Sequence, residues 1–142
     1  MDSRIESRVG IRADSEVIWN IVADLEGWSR WNPYENEVSG AIAFGGAIRL
    51  TERLPGLPER FAAHSVGEWQ PLAQLVLVEK RGWLFRAVRY IEIEELERGH
   101  CIVANGIIFS GLRGELFHDK HRKAIKAAYA EIGENLRKLA EG

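Results

Sequence analysis

The first residues of the chain alternate between apolar and polar side chains, with the two-residue period of a β-strand. Between positions 4 and 13, Ile5, Val9 and Ile11 share one face, whereas Glu6 and several arginines occupy the other. This pattern predicts a half-buried strand at the start of the chain.

The spacing of apolar residues then changes to that of a helix. Asp14 stands where a helix N-cap belongs, Glu16 favours the positive end of the helix dipole, and the apolar residues that follow fall on one face. We therefore expect a helix from Ser15 to about Leu25. The aromatic stretch 26–34 is too short for a long helix, so we predict a short helical turn followed by an irregular loop.

Turns that contain glycine or proline separate β-rich stretches over the middle of the chain. The Gly45-Gly46 pair suits a two-residue hairpin turn. The strands that it would join have the apolar residues Val38, Ile42 and Phe44 before the turn and Ile48 and Leu50 after it. Further strands are predicted near positions 60–69, 73–80, 84–96 and 100–110.

The end of the chain returns to helical spacing. From Glu115 to Ala140, apolar residues recur every three or four positions, which predicts an amphipathic helix roughly 39 Å long. An antiparallel sheet of about seven strands must bury one face, and only this helix is long enough to cover it. The predicted fold class is therefore α+β, and a curled sheet around one helix leaves a wedge where a pocket can form.

Composition limits the class of protein. The chain has 142 residues, of which 46% are hydrophobic and 28% charged, and its formal net charge is −2. This length and composition predict one globular domain over residues 1–142 and exclude a disordered or collagen-like chain. The near-neutral charge argues against a nucleic-acid partner, for which a strongly basic domain is typical.

The sequence also constrains location and covalent chemistry. No apolar run approaches the roughly 20 residues of a membrane-spanning helix, and the first residues carry acids instead of a signal sequence. We therefore expect a cytoplasmic protein with no transmembrane segment. The single cysteine, Cys101, excludes an intramolecular disulfide framework and a multi-cysteine metal site, and we expect no metal or other cofactor.

Two blocks of the sequence resemble a known family. The segment Asp14-Ser15-Glu16-Val17-Ile18-Trp19, followed by Asp24 and Trp28-Ser29-Arg30-Trp31-Asn32-Pro33, resembles the START-like (SRPBCC) pattern of a helix, an aspartate and a Trp-x-x-Trp-Asn-Pro turn. The segment Ile107-Ile108-Phe109-Ser110-Gly111-Leu112 resembles the last strand of that superfamily, with its Phe-x-Gly ending. Within the superfamily, the sequence is most similar to small bacterial proteins that resemble polyketide cyclases and dehydrases.

The resemblance implies the helix-grip fold, in which a curved antiparallel sheet packs around a long C-terminal helix, with one or two short helices after the first strand. It also implies a hydrophobic cavity between sheet and helix, which various members use to bind lipids, hormones, polyketides or partner proteins. The ligand-binding residues that we predict for this cavity are Trp28, Trp31, Trp69, Phe85, Arg89, Tyr90, Phe109 and Tyr129.

The sequence leaves the roles of several of these residues open. Trp28 and Trp31 share one face of a helical turn, and core packing is favoured over contact with a ligand. The strand 84–96 has mixed residues on both faces, so parity does not say which face is concave. If the face of Arg89 points inward, Arg89 is a buried cation that could anchor an acidic ligand; otherwise Tyr90 and its polar neighbours face the cavity.

Other reactive side chains have simpler interpretations. His118 and His121 have a spacing that two metal ligands can adopt, but no third ligand is evident, and a solvated helix face is favoured. Cys101 follows His100 on a strand, where neighbours point to opposite faces, so we interpret it as a small buried hydrophobe. The candidates for general acid or base, none assigned as catalytic, are His64, Arg89, Tyr90 and Glu92.

We therefore predict a binding module that holds a small hydrophobic or amphipathic molecule, of lipid or polyketide type, as a monomer or a homodimer. One alternative is an enzyme, a cofactor-independent polyketide cyclase or dehydratase; the binding module is favoured over it. Another is an interaction domain that uses the basic face of the last helix against an acidic partner or a membrane surface, although an ordinary hydrated face is favoured there. That basic face contains Lys120, Arg122, Lys123 and Lys126.

Overall fold

The computed structural model describes residues 3–142, and its elements follow the predicted order. The strands are β1 (Ser3–Ile11), β2 (Glu35–Gly40), β3 (Ala47–Glu52), β4 (Arg60–Gln70), β5 (Gln74–Gly82), β6 (Phe85–Glu97) and β7 (His100–Ser110). The helices are α1 (Ser15–Ala23), a 3₁₀ turn (Leu25–Arg30) and α2 (Leu112–Glu141). The predicted α+β class is confirmed.

All seven strands form one antiparallel sheet in the order β1-β7-β6-β5-β4-β3-β2. The first strand pairs with the last, so that Ile5 lies opposite Ile107. Helix α2 packs against β1, β7 and β6, and residues of β3, β4 and β5 face the start of the helix across a pocket. A curled antiparallel sheet around one long helix is the predicted helix-grip arrangement, and it leaves a cleft between β3, β4, β5 and the start of α2.

The structure decides which face of β6 is concave. Arg89 is buried on the inward face, together with an alanine and two isoleucines of the same parity. Tyr90 lies on the outward face, where its ring covers Gly106 and its hydroxyl donates a hydrogen bond to Glu6. A Cβ at position 106 would lie 2.4 Å from the Tyr90 hydroxyl oxygen, so only glycine leaves room for that ring.

The connection between β2 and β3 differs from the predicted hairpin. β2 ends at Gly40, and six residues separate it from β3, so the two-residue turn predicted at Gly45-Gly46 is wrong. Gly40 has a φ of 126°, and a Cβ there would lie 2.1 Å from the carbonyl oxygen of Ala47, which requires glycine at that position. Phe44, predicted within a strand, instead lies in the loop with 99% of its side chain exposed.

The remaining differences are at the ends of helices. α1 ends at Ala23, two residues before the predicted end, and the 3₁₀ turn that follows contacts β2. α2 begins at Leu112, where Gly111 adopts a φ of 81° against the carbonyl group of Leu84. Within residues 3–142, neither this helix nor any other is long and apolar enough to cross a membrane.

Candidate ligand-binding site

A buried ion pair occupies the closed end of the cleft. Arg89 on β6 and Glu35 at the start of β2 are 2% and 3% exposed, and Arg89 Nη2 lies 2.8 Å from Glu35 Oε1. Asn32 supports the carboxylate with a side-chain hydrogen bond of 3.0 Å and accepts the backbone N–H of Glu35. Burial alone would raise the pKa of Glu35, but the charge and hydrogen bonds of Arg89 outweigh it and hold that pKa below its usual range.

The guanidinium of Arg89 has an acceptor for each of its five N–H groups. Nε and Nη2 donate to Glu35, Nη2 also donates to Asn105, and Nη1 donates to the backbone carbonyls of Tyr90 and Gly106. The ring of Tyr129 on α2 stacks 4.3 Å from the guanidinium carbon. Arg89 therefore has no donor left for a ligand in this arrangement, and it ties β2, β6, β7 and α2 together.

A second ionic cluster lies nearer the open end of the cleft. Arg60 on β4 bridges Glu52 on β3 and Glu79 on β5, and Arg81 on β5 contacts the same two carboxylates. The two arginines and two glutamates thus alternate in charge around a ring. Burial alone would raise the pKa of Glu79, but the hydrogen bond from Arg60 and the charges of both arginines lower it below its usual range.

His64 lies beneath this ring, 6% exposed on the inward face of β4. Its Nε2 is 3.7 Å from Glu79 Oε1, whereas its Nδ1 has no hydrogen-bond partner among the described residues. Burial lowers the pKa of His64, and the nearby glutamates only partly offset this effect, so the imidazole is neutral at pH 7. A neutral imidazole with one free ring nitrogen can donate or accept a single proton inside the cleft.

The open end of the cleft is a pocket of about 270 Å³ between the β3–β4 loop, the strands and the start of α2. Its apolar wall consists of Leu57, Pro58, Phe85 and Phe117, and its polar wall of Glu52, Glu59, Arg60, Arg81 and Arg113. Such a division between an apolar wall and a few polar groups is typical of sites for amphipathic small molecules.

Three phenylalanines form the apolar wall and the layer beneath it. Phe85 and Phe117 have ring centroids 5.3 Å apart, and the buried Phe109 lies 5.1 Å from Phe117. The guanidinium of Arg81 lies between 5.3 and 5.5 Å from all three ring centroids, so it links the aromatic wall to the ionic ring.

The residues predicted from sequence to bind a ligand fall into separate places. Phe85 and Phe109 meet at the pocket, whereas Arg89 and Tyr129 meet at the closed end. Trp69 lies in a shallow depression beside the loop that follows β2, away from both clusters. Tyr90 lies on the outer face of the sheet, where its hydroxyl donates a hydrogen bond to Glu6.

The tryptophan pair belongs to the core. Trp28 and Trp31 are each 1% exposed, and their ring centroids are 5.3 Å apart. Trp28 Nε1 donates to the carbonyl of Val22 at 2.8 Å, which ties the 3₁₀ turn to α1. Trp31 Nε1 has no partner among the described residues.

The other candidates for reactive chemistry are dispersed. Glu92 is exposed on the outer face, and Cys101 is buried with its thiol 3.3 Å from the carbonyl of Ala13. His118 contacts Asp119, while His121 packs on Phe117. Within residues 3–142, no three histidine, cysteine, aspartate or glutamate side chains are grouped so as to hold a metal ion.

Sequence reasoning missed most of the ionic residues, although one signal was present. On β5, Glu79 and Arg81 occupy the same set of alternate positions as the buried Leu75 and Leu77. Strand alternation therefore places both charges on the inward face. Glu52 continues the inward parity of β3 in the same way. The missed residues around the two clusters are Asn32, Glu35, Glu52, Arg60, Glu79, Arg81 and Asn105.

The curled sheet, the long helix and the cleft between them define the helix-grip fold of START-like proteins. No family model and no curated protein matches the sequence, so the comparison rests on structure. The aromatase/cyclase Zhui from a Streptomyces species superposes with a TM-score of 0.79 at 13% identity, over 99% of this chain and 94% of that one. A START superfamily protein from Mycobacterium smegmatis gives 0.75 at 18% identity, over 97% of both chains.

A plant enzyme has the same fold. Norcoclaurine synthase from Thalictrum, solved as a point mutant with a transition-state analogue, superposes with a TM-score of 0.70 at 11% identity, over 99% of this chain and 94% of that one. At identities this low, the structural likeness establishes the fold and not the activity. The chain therefore has a START-like fold, and solved proteins of that fold include aromatase/cyclases and a synthase.

Proposed function

We propose that the chain binds a small amphipathic molecule in the pocket at the open end of the cleft. The observation that carries this proposal is the division of the pocket into an aromatic wall, formed with Phe85 and Phe117, and a charged wall, which includes Arg60 and Arg113. The apolar part of a ligand would lie against the phenylalanines and its polar group against the arginines. Apolar burial would supply most of the affinity, at roughly 25 cal/mol for each Å² removed from water.

The filled interior of the fold favours a ligand position near the open end of the cleft. The closed end is filled by the pair of Arg89 and Glu35 and by the ring of Tyr129. The pocket volume of about 270 Å³ is close to the lower end of the range for small-molecule sites, roughly 300 to 1,000 Å³. A ligand with one or two rings fits this space, whereas a long acyl chain would have to extend out of the pocket.

The proposal is tested with 8-anilinonaphthalene-1-sulfonate, a small aromatic anion whose fluorescence rises on burial. The variant Leu57→Trp places a bulky ring in the pocket wall, and we expect it to weaken dye binding at least about tenfold. The matched control is Phe44→Trp, which puts the same ring on a loop residue that is 99% exposed. A dye that does not bind the wild-type protein, or that binds Leu57→Trp as tightly as wild type, would contradict the proposal.

A second candidate function, cofactor-independent cyclisation or dehydration, is favoured by His64. An aldol cyclisation needs a base that removes a proton from carbon and an acid that protonates the new alkoxide before water leaves. His64 is neutral and has a free Nδ1, so it can take and return one proton if a substrate reaches past the pocket lining, of which His64 is not a member. If the chain is such an enzyme, His64→Gln abolishes turnover of a poly-β-ketone probe while dye binding persists; unchanged turnover would exclude this role.

A further inference from the structure

Four of the large apolar side chains that remain exposed lie at one end of the molecule, beside the pocket. Trp83 and Leu84 form the turn between β5 and β6 and are 77% and 40% exposed. Leu112 and Leu116, one helical turn apart at the start of α2, are each 61% exposed. We call these four residues the apolar rim.

Hydrogen bonds hold the two parts of the apolar rim together. The carbonyl of Leu84 accepts the backbone N–H groups of Arg113 and Gly114 at 3.0 and 3.3 Å. The guanidinium of Arg113 donates to the carbonyl of Trp83 at 3.2 Å. The β5–β6 turn is thus fixed against the first turn of α2, and the exposed tryptophan is presented by a defined backbone.

The backbone of this turn shows a further irregularity. Leu84 has a φ of 55°, a left-handed conformation that asparagine and glycine adopt far more readily than leucine. An exposed leucine in that conformation contributes little to folding, because it is neither fully buried nor suited to its backbone. Such a local conflict is typical of positions that serve a function other than stability.

Exposed cations border the apolar rim, although Arg49, Arg98, Arg122, Lys126 and Lys138 elsewhere in residues 3–142 likewise form no ion pair with a described carboxylate. Nine arginines elsewhere in the described chain pair with carboxylates: Arg4, Arg8, Arg12, Arg30, Arg53, Arg60, Arg81, Arg89 and Arg137. The cations that border the rim form no ion pair with a carboxylate of residues 3–142. They are Lys80 and Arg86 on the strands that flank the turn, and Arg113 and Lys120 on α2, where the exposed Asp119 adjoins Lys120.

We infer that the apolar rim docks on the surface of an anionic lipid bilayer. Tryptophan and leucine side chains enter the interfacial region of a bilayer, and unpaired lysines and arginines around them are attracted to anionic headgroups. A second copy of the chain would bring its own four cations against this surface, and repulsion between them disfavours self-association. The charge pattern therefore favours an anionic surface over another copy.

The apolar rim also borders the proposed ligand pocket. Phe85, Arg113 and Phe117 line the pocket, and the same three residues continue into a surface groove with Leu116 and Lys120. If the proposed function holds, an amphipathic molecule can pass between the bilayer and the pocket without crossing open water. Docking itself rests on the rim and its cations and not on the pocket.

Trp83 supplies a direct test, because it is the tryptophan that is mostly exposed; the other four are buried or half-buried. Wild-type protein is mixed with vesicles of phosphatidylglycerol and phosphatidylcholine, or with vesicles of phosphatidylcholine alone. We expect co-sedimentation with the anionic vesicles, a shift of tryptophan emission to shorter wavelength, and quenching by brominated acyl chains. Binding falls as salt is added, because the cations are exposed and screened.

Two variants and a control define the surface. We expect Trp83→Ala to weaken binding to anionic vesicles at least about tenfold, and Lys80→Glu with Lys120→Glu to weaken it by a similar factor. The control Phe44→Ala removes an equally exposed aromatic side chain from the β2–β3 loop and leaves binding unchanged. Circular dichroism verifies that each variant folds.

Several outcomes overturn the inference. Absence of wild-type binding to anionic vesicles overturns it, and so does equal binding by Trp83→Ala. A concentration-dependent dimer that Trp83→Ala dissolves, with no vesicle binding, assigns the rim to a second copy of the chain. Since Trp83 does not line the pocket, dye binding by Trp83→Ala stays at the wild-type level, and failure of docking is separable from failure of the proposed pocket.

Discussion

The two ends of the cleft contain the same types of charged residue in different states. At the closed end Arg89 and Glu35 are almost fully buried, and every N–H of the guanidinium has an acceptor. At the open end Arg60 keeps 31% of its side chain exposed, and His64 has a ring nitrogen without a partner. A fully satisfied network fixes strands to a helix, whereas a partly satisfied one beside a pocket can still bind a ligand.

The largest effect is expected from breaking the closed end. Glu35→Gln removes the counter-charge of Arg89 and leaves a buried guanidinium unpaired, which we expect to destabilise the fold by about 3 to 5 kcal/mol. Urea unfolding monitored by circular dichroism measures this loss. The double variant Glu35→Leu with Arg89→Met removes both charges and should recover part of it; a double variant less stable than Glu35→Gln contradicts a role based on charge pairing.

The equivalent change at the open end should have a smaller effect. In Glu79→Gln, Arg60 and Arg81 each lose one carboxylate but keep Glu52, and Arg60 also keeps contact with water, so we expect a loss of about 1 to 2 kcal/mol. Added salt should reduce this loss more than that of Glu35→Gln, because the Arg60 side chain is 31% exposed and partly screened whereas Arg89 is buried. A loss for Glu79→Gln that equals or exceeds that of Glu35→Gln would remove the difference between the two ends.

The sequence predicts the fold better than the site, for a physical reason. Alternation and helical spacing are local, so they locate the strands and α2 to within a few residues. The partner of Arg89 is Glu35, 54 residues earlier, and no local pattern connects them. Parity alone could have placed Glu79 inside the sheet, since it follows Leu75 and Leu77, but only the structure shows which arginines meet it.

The loop after β2 shows a different limit of sequence reasoning. Gly45-Gly46 has the composition of a tight turn, yet β2 ends at Gly40, which approaches the carbonyl of Ala47 too closely for any side chain. That contact is made across the hairpin, so no window of sequence around Gly40 reveals it. The prediction erred where backbone geometry, not side-chain hydrophobicity, decides the structure.

The pH dependence of stability should distinguish His64 from the carboxylates. Its pKa is lowered by burial from the ordinary 6.5, so the unfolded chain binds a proton more readily than the folded one. Stability from this group is therefore complete above about pH 6.5 and falls as the pH drops toward the folded pKa. Urea unfolding between about pH 7 and pH 5 measures the expected loss.

His64→Gln provides the comparison for that measurement. The variant lacks the titrating imidazole, so its stability should change little over the same pH interval. Glu35 and Glu79, whose pKa values are lowered, stabilise the fold above the ordinary carboxyl pKa and lose that contribution only in more acidic solution. A slope between about pH 7 and pH 5 that persists in His64→Gln would assign the effect to other groups.

The smallest expected effect is at the rim of the open end. Leu84→Asn places a residue that tolerates the left-handed conformation at a φ of 55°, so we expect a gain in stability of about 0.5 kcal/mol. The same change removes an exposed apolar side chain and should weaken binding to anionic vesicles. A variant that is both more stable and poorer at docking would show that Leu84 is retained at this turn for binding, whereas a less stable variant would show that its packing contributes to the fold.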